Sequence, residues 1–318
     1  MPDPFVHPVL FYKGAREYLE ATLAFVREGL AAGEPVAVAV PTEGLALVRA
    51  GLGAQAGQVL LLDMTEAGRN PGRIIPGVLR AFADAHAGRR VRVVGEPVWP
   101  ERSPTEYPAC AQHDALVNLA FAGRRATFLC LYDKERLERS ALEDAERTHP
   151  TLWDAAGERV SLEFAPIEVI DEYNVPFEEP EAPVRMAFDH SDLVRVRQLA
   201  AEWAERLGFA GGRLDDIQLV VSELGANSLD HGGGAGELRV WTEGGRLVLE
   251  VRDHGHITDP LAGRSPADPA LPGSRGLLIV NLLSDLVRLH TRAGFTAVRA
   301  YFELPGMRTM PSLLATAS

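Results

Sequence analysis

Cysteine is scarce: Cys110 and Cys130 are the only two in 318 residues, and they form no C-x-x-C pair and no sequence cluster with histidine. A disulfide scaffold and a structural zinc site of the usual spacing are therefore not expected, and each thiol reads as a small buried hydrophobe. Positive charge is also short, with 32 Lys and Arg against 44 Asp and Glu and a formal net charge of −12. Direct nucleic-acid binding needs basic surface, so any effect on transcription is expected to run through a protein partner. No apolar run approaches the roughly 18 residues of a membrane span. The opening Met-Pro-Asp-Pro has neither the basic nor the apolar region of a signal peptide, which sets the expectation of a cytoplasmic protein without membrane contact. No internal repeat is present. A Walker motif is missing too, since Tyr12-Lys13-Gly14-Ala15-Arg16 departs from G-x-x-x-x-G-K-[ST] and excludes P-loop nucleotide binding at the first strand-to-helix turn.

What is there suggests two domains. The length exceeds one ordinary domain, and 46% hydrophobic residues suffice for two cores. Over residues 1–150, apolar runs at 9–12, 36–40, 59–63, 91–94 and 127–132 alternate with helical patterns at about 15–31, 42–53, 72–87 and 111–122. This βαβ series implies a parallel sheet covered on both faces, with ligands beyond the C-terminal strand ends. Those ends present Tyr12, Glu96, Trp99 and Asp133.

Residues 151–182 read as an acidic, proline-rich linker, containing Asp171-Glu-Tyr-Asn-Val-Pro-Phe-Glu-Glu-Pro-Glu-Ala-Pro. Within it Ser161-Leu-Glu-Phe has the look of a short strand, and the tail 306–318 reads as disordered. A second domain then occupies 183–305. Leu214, Ile217, Val221, Leu224 and Ser228 recur at helical spacing, and Glu223, Asn227 and His231 follow at four-residue steps off that stripe, where the helix runs into glycines. A carboxylate there can accept a proton, and an amide oxygen can hold Mg²⁺. Two strands follow, at 237–242 and 246–252, then Asp253-His-Gly255-His-Ile257. A loop with four prolines over 258–272 reads as a lid, and Gly273-Ser-Arg275-Gly276-Leu277 opens a further helix.

These boxes, in this order, resemble the nucleotide-binding boxes of the GHKL ATPase superfamily, the Bergerat fold, and within it the serine kinases that act as anti-sigma factors. The resemblance covers residues 183–305 and implies an α/β sandwich that binds ATP and Mg²⁺. Carried over position by position, it implies that Glu223 is the general base toward a partner's serine, that Asn227 is the Mg²⁺ ligand, and that Asp253 accepts from the adenine amino group. It further implies that His231, Gly255 and Thr296 lie around the nucleotide, with Gly273, Arg275, Gly276 and Leu277 at its phosphates. Two positions depart from the pattern: Ile257 stands at the second glycine of the aspartate box, and the Gly-Thr-Thr box reads Gly294-Phe295-Thr296.

The N-terminal half has its own likeness. His7-Pro-Val-Leu-Phe-Tyr12, Gly95-Glu96-Pro-Val-Trp99, and Glu106-Tyr107 with Gln112-His113-Asp114-Ala115-Leu116 resemble the MEDS sensory domain. That resemblance implies a RecA-related parallel α/β sandwich with a small-molecule ligand, for which His7, Tyr12, Glu96, Trp99 and His113 are candidates. The alternatives are that His7 and His113 are satisfied structural histidines and that Trp99 is a core aromatic.

Together the resemblances imply a regulator that phosphorylates an anti-sigma antagonist and binds a sigma factor, as a homodimer, under control of its first domain. A scaffold that binds nucleotide without catalysis stays open. A histidine kinase is the weaker alternative, because His190 has no helical hairpin around it before the helix that starts near Asp192.

Overall fold

The computed structural model describes residues 4–266 and 275–306, and the chain divides into two compact units at Val175–Pro176. The first unit is built on a seven-stranded sheet. Strands β1 (Pro8–Tyr12), β2 (Val36–Val40), β3 (Val59–Asp63), β4 (Val91–Gly95), β5 (Ala126–Asp133), β6 (Thr151–Asp154) and β7 (Gly157–Val160) lie in the order β3-β2-β4-β5-β1-β6-β7. All neighbours are parallel except the β6–β7 hairpin. Helices cover both faces, which is why the strands read as unbroken apolar runs rather than alternating ones.

On one face, α1 (Gly14–Ala31) and α2 (Thr42–Leu52) bring Tyr18, Leu23, Val26 and Val48 against Leu10, Tyr12, Val38 and Leu131. On the other, α5 (Tyr107–Phe121) and α6 (Arg139–Thr148) bring Cys110, Ala141 and Ala145 against Val9, Phe11, Cys130 and Leu152. The helix expected at 72–87 is broken. After the short α3 (Met64–Ala67) come a 3₁₀ turn at Pro71–Arg73, a π-helical turn at Ile74–Arg80, and α4 (Ala81–Ala85). Pro71 and Pro76 lack N–H donors, so a regular ladder cannot run through them.

The expected linker is a correction. Residues 151–172 fold onto the first unit, as β6 beside β1, β7, and α7 (Pro166–Glu172). Val169 of α7 is buried against Ala111 and Ala115, and Arg147 donates to both carboxylate oxygens of Glu172 at 2.6 and 2.7 Å. Acidic composition described the outer surface of this stretch and not its few inward apolar side chains. Ser161-Leu-Glu-Phe is irregular and not a strand, with Ser161 Oγ donating to Glu146 O.

The second unit is a two-layer sandwich. Strands β8 (Val184–Asp189), β9 (Ala235–Glu243), β10 (Arg246–Asp253), β11 (Leu286–Arg292) and β12 (Phe295–Glu303) form an antiparallel sheet ordered β11-β12-β10-β9-β8. Alternation sorts its residues. Leu238, Val240, Leu247, Leu249, Val251, Ala300 and Phe302 face a core shared with α8 (Leu193–Arg206), α9 (Gly212–His231) and α10 (Gly276–Leu283). Opposite them stand Arg239, Glu250, Arg252 and Arg299, interleaved across the strands. Buried Glu250 accepts from Arg252 and Arg299. Glu179, also expected in the linker, accepts from Arg239 and Arg252 at 2.6 Å each, while Phe177 lies 4.5 Å from the Arg299 guanidinium. Residues 177–179 are therefore a strap across the polar face of this sheet.

Candidate functional sites

Helix α9 carries Glu223 and Asn227 one turn apart, both half-buried. The start of α10 meets them. A Cβ placed on Gly276 would lie 3.0 Å from Asn227 Oδ1 and 3.1 Å from both Asn227 Nδ2 and Glu223 Oε2, so any larger residue there would press on both side chains. Asn227 Nδ2 is buried without a hydrogen-bond partner, and a buried amide left unsatisfied points to a missing ligand. An amide and a carboxylate beside the first turn of a helix are hard oxygens next to unpaired backbone donors, which suits a metal-bound phosphate.

Around this point the neighbours sort themselves. Arg275 is exposed and precedes α10, its carbonyl accepting from Ile279 N at 2.9 Å. Leu277 is half-buried and closely approached by Gly263, whose φ of +71° is open to glycine and strained for other residues. Asn281 Nδ2 donates to Gly263 O at 3.0 Å and to Leu277 O at 3.1 Å, tying Gly263 of the expected lid to α10. Gly273 lies outside the described residues, as does much of that loop.

At the other end of α9, Asp253 closes β10. Ser228 Oγ donates to its Oδ2 at 2.7 Å, and Gly255 N donates to its Oδ1 at 2.8 Å. A Cβ on Gly232 would fall 2.4 Å from Asp253 Cγ, and one on Gly255 would fall 2.8 Å from His231 O. His231 thus contributes a close backbone, while its side chain is exposed. Thr296 is buried opposite Asp253 in the strand register, and its hydroxyl pairs with that of Thr291 at 2.9 Å. Thr291 Oγ1 in turn accepts from Ile257 N at 2.9 Å. Thr291 thus joins Thr296 on the neighbouring strand to the backbone at Ile257.

Sequence reasoning missed Ser228, Thr291 and Asn281. Ser228 had a signal, as the one hydroxyl in an otherwise apolar stripe. Thr291 and Asn281 had none, because Thr296 and Ile257 reach Thr291, and Gly263 reaches Asn281, from other elements.

In the first unit the candidate sensory residues divide between the two faces of the sheet. Tyr12 donates to Glu96 Oε1 at 3.2 Å and Tyr18 to Glu96 Oε2 at 3.4 Å. Burial pushes the Glu96 carboxyl up to about 8, against the lowering effect of those two hydroxyls. Trp99 is buried beneath the Arg102 guanidinium, 3.6 Å from its ring centre. On the opposite face lie His7 and His113, both buried. Burial lowers His7 to about 4 and holds His113 well below its usual value. His7 Nδ1 pairs with Asn118 Oδ1 at 3.1 Å and its Nε2 lies 3.5 Å from Cys130 Sγ. His7 and His113 line one small cavity together, on the face opposite Tyr12 and Glu96.

Residues 6–150 match the family model for MEDS, the methanogen/methylotroph DcmR sensory domain, and residues 186–302 match the histidine kinase-like ATPase domain. The serine-protein kinase RsbW of Halalkalibacterium halodurans is 28% identical over 119 residues, covering 34% of this chain and 74% of that protein. Among solved structures, the RsbU and RsbW domains of a Mycobacterium tuberculosis protein are 21% identical with a TM-score of 0.30, over 40% of this chain and 34% of that one. The chain thus spans about a third of that structure's length. The SiaB–SiaC complex of Pseudomonas aeruginosa is 16% identical with a TM-score of 0.30, over 37% of this chain and 88% of that one. Among the described residues no helix is long and apolar enough to cross a membrane. The chain is a two-domain protein, a MEDS domain followed by a histidine kinase-like ATPase domain related to the serine-protein kinase RsbW.

Proposed function

We propose that this protein is a cytoplasmic anti-sigma-type regulator, an ATP-dependent serine kinase acting on an anti-sigma antagonist under the control of its MEDS domain. The observation that carries the reading is the meeting of Glu223, Asn227 and Gly276, with Asn227 Nδ2 buried and unpaired, a donor open to an acceptor such as a phosphate oxygen. Asn227 would hold Mg²⁺. The first amides of α10 with Arg275 would hold the ATP phosphates, and Asp253 with Thr296 the adenine. When bound, ATP and Mg²⁺ supply the phosphoryl group and the charge neutralisation for its transfer. Glu223 takes up the proton of the partner's serine hydroxyl. The Ser228 hydroxyl and the Gly255 amide fix the Asp253 carboxylate in one orientation. A homodimer that sequesters a sigma factor and releases it when the antagonist docks completes the proposal.

Calorimetry of ATP binding with and without Mg²⁺ tests it, alongside phosphotransfer to a serine-bearing antagonist. Asn227→Ala is expected to abolish magnesium-dependent binding. Glu223→Gln is expected to retain binding and lower phosphotransfer by about 10²–10⁴-fold. Binding with no Glu223-dependent transfer would leave a nucleotide-binding partner switch, and no binding by the native protein would overturn the reading altogether.

A further inference from the structure

The first unit contains a cluster in which one candidate sensory residue, His7, meets two residues that were not candidates, Cys130 and His149. His7 immediately precedes β1, Cys130 lies on β5, and His149 follows α6. All three are buried, and their ligand atoms lie within 4.8 Å of one another. Hydrogen bonds decide which ring nitrogens face inward. The side-chain nitrogen of Asn118 faces the carbonyls of Asp114, Ala115 and Thr148 at 3.2, 3.2 and 2.8 Å, which turns its Oδ1 toward His7 Nδ1 at 3.1 Å. His7 Nδ1 must then donate, leaving a lone pair on Nε2, 3.5 Å from Cys130 Sγ. His149 Nδ1 lies 2.8 Å from Ala145 O, and a carbonyl can only accept, so its lone pair is also on Nε2. That nitrogen is buried with no partner, and the two imidazole rings stand 4.2 Å apart.

Two imidazole lone pairs and a sulfur thus belong to one buried cluster, with each Nδ1–H held by an oxygen. Oxygen-held outer nitrogens are the usual support of metal-ligating histidines. An unpaired, buried His149 Nε2 costs stability unless a cation or a donor meets it. Tetrahedral zinc bonds of about 2.0–2.3 Å place ligand atoms about 3.3–3.7 Å apart, and the His7–Cys130 separation of 3.5 Å already falls there. Beside His7, His113 and Cys130 lies a cavity of about 20 Å³, bordered otherwise by apolar groups such as Met64, Ile74 and Val93, enough for one water-sized molecule.

We infer that His7, Cys130 and His149 form a transition-metal site of the zinc class, with a fourth position open to a water-sized ligand. On binding, the Cys130 S–H bond breaks, the sulfur pair forms the metal–thiolate bond, and the proton leaves to solvent; no electron is transferred. Three protein ligands and an open position are the arrangement of a reactive or responsive centre rather than a closed structural one. The site is independent of the nucleotide reading.

The test uses full-length protein stripped with a chelator and reloaded with Zn²⁺ or Co²⁺. Zinc X-ray absorption on the native protein is expected to show one sulfur at about 2.3 Å and imidazole nitrogens at about 2.0–2.1 Å, and Co²⁺ a thiolate charge-transfer band at one ion per chain. Cys130→Ser should lose that band and Cys110→Ser keep it. Asn118→Ala should keep the band and weaken affinity by about 10–100-fold. A native first shell without sulfur, or no binding, overturns the assignment whatever the variants do.

Discussion

At the scale of single residues, burial sets most of the unusual chemistry in the first unit. Glu96 shows how. Its carboxyl is buried between the hydroxyls of Tyr12 and Tyr18, and its titration is raised from 4.5 to about 8. Between those two values the native protein keeps a proton that the unfolded chain has released, so this residue's contribution to stability falls as pH rises through that window. Glu96→Gln carries no such proton. Its unfolding midpoint in urea is expected to gain on that of the native sequence from pH 5 to pH 8, and a constant difference across that range would contradict the buried, protonated carboxyl. The same scale shows how a candidate site residue hides. Glu223, Asn227 and Asp253 stand out as polar groups in a spaced pattern, whereas Ser228, which orients Asp253, sits where the apolar stripe requires a core residue.

At the scale of elements, alternation along the second unit's strands separates an apolar face from one of interleaved arginines. Arg239, Arg252 and Arg299 surround buried Glu250, Glu237 also accepts from Arg239, and two carboxylates among three guanidiniums leave positive charge to be matched. The strap at 177–179 matches it. Glu179 pairs with Arg239 and Arg252, the Glu178 carbonyl accepts from Arg299 at 2.6 Å, and Phe177 stacks near Arg299 and Arg288. Phe177→Ala should lower stability by about 1–2 kcal/mol through lost cation–π contact and packing, seen as a shift of a few degrees in the calorimetric transition of the second unit. Glu179→Ala should add a loss that shrinks at high salt, because Glu179 is mostly exposed. An unchanged transition in both variants would show the strap to be an idle contact. Composition alone reads this segment as linker, since glutamates and prolines that serve as ion-pair partners look the same in sequence as those that merely keep a chain solvated.

At the scale of the whole molecule, each unit has its own core, one around the parallel sheet and one between the antiparallel sheet and α8–α10. A fragment of residues 176–318 is therefore expected to fold and to bind ATP with Mg²⁺ by calorimetry as the full chain does, while losing any response to a ligand or metal of the first unit. Loss of nucleotide binding in a folded fragment would show that the first unit completes the site instead of tuning it.

Sequence alone determined what depends on short-range pattern. Five of the parallel strands, the helix carrying Glu223 and Asn227, and the strand that ends at Asp253 were legible, because periodicity and box spacing act over a few residues. Tertiary structure decided whatever depends on which distant segments become neighbours. It broke the expected 72–87 helix into turns around two prolines and folded 151–172 into the first unit. It also placed Tyr12 and Glu96 on one face of the sheet and His7 and Cys130 on the other. Two cysteines without a spaced histidine partner gave no metal signature, yet the placing of β1 beside β5 and the turn after α6 bring His7, Cys130 and His149 together across up to 142 residues of chain. Strand order is set by packing of the whole sheet, and no local pattern encodes it.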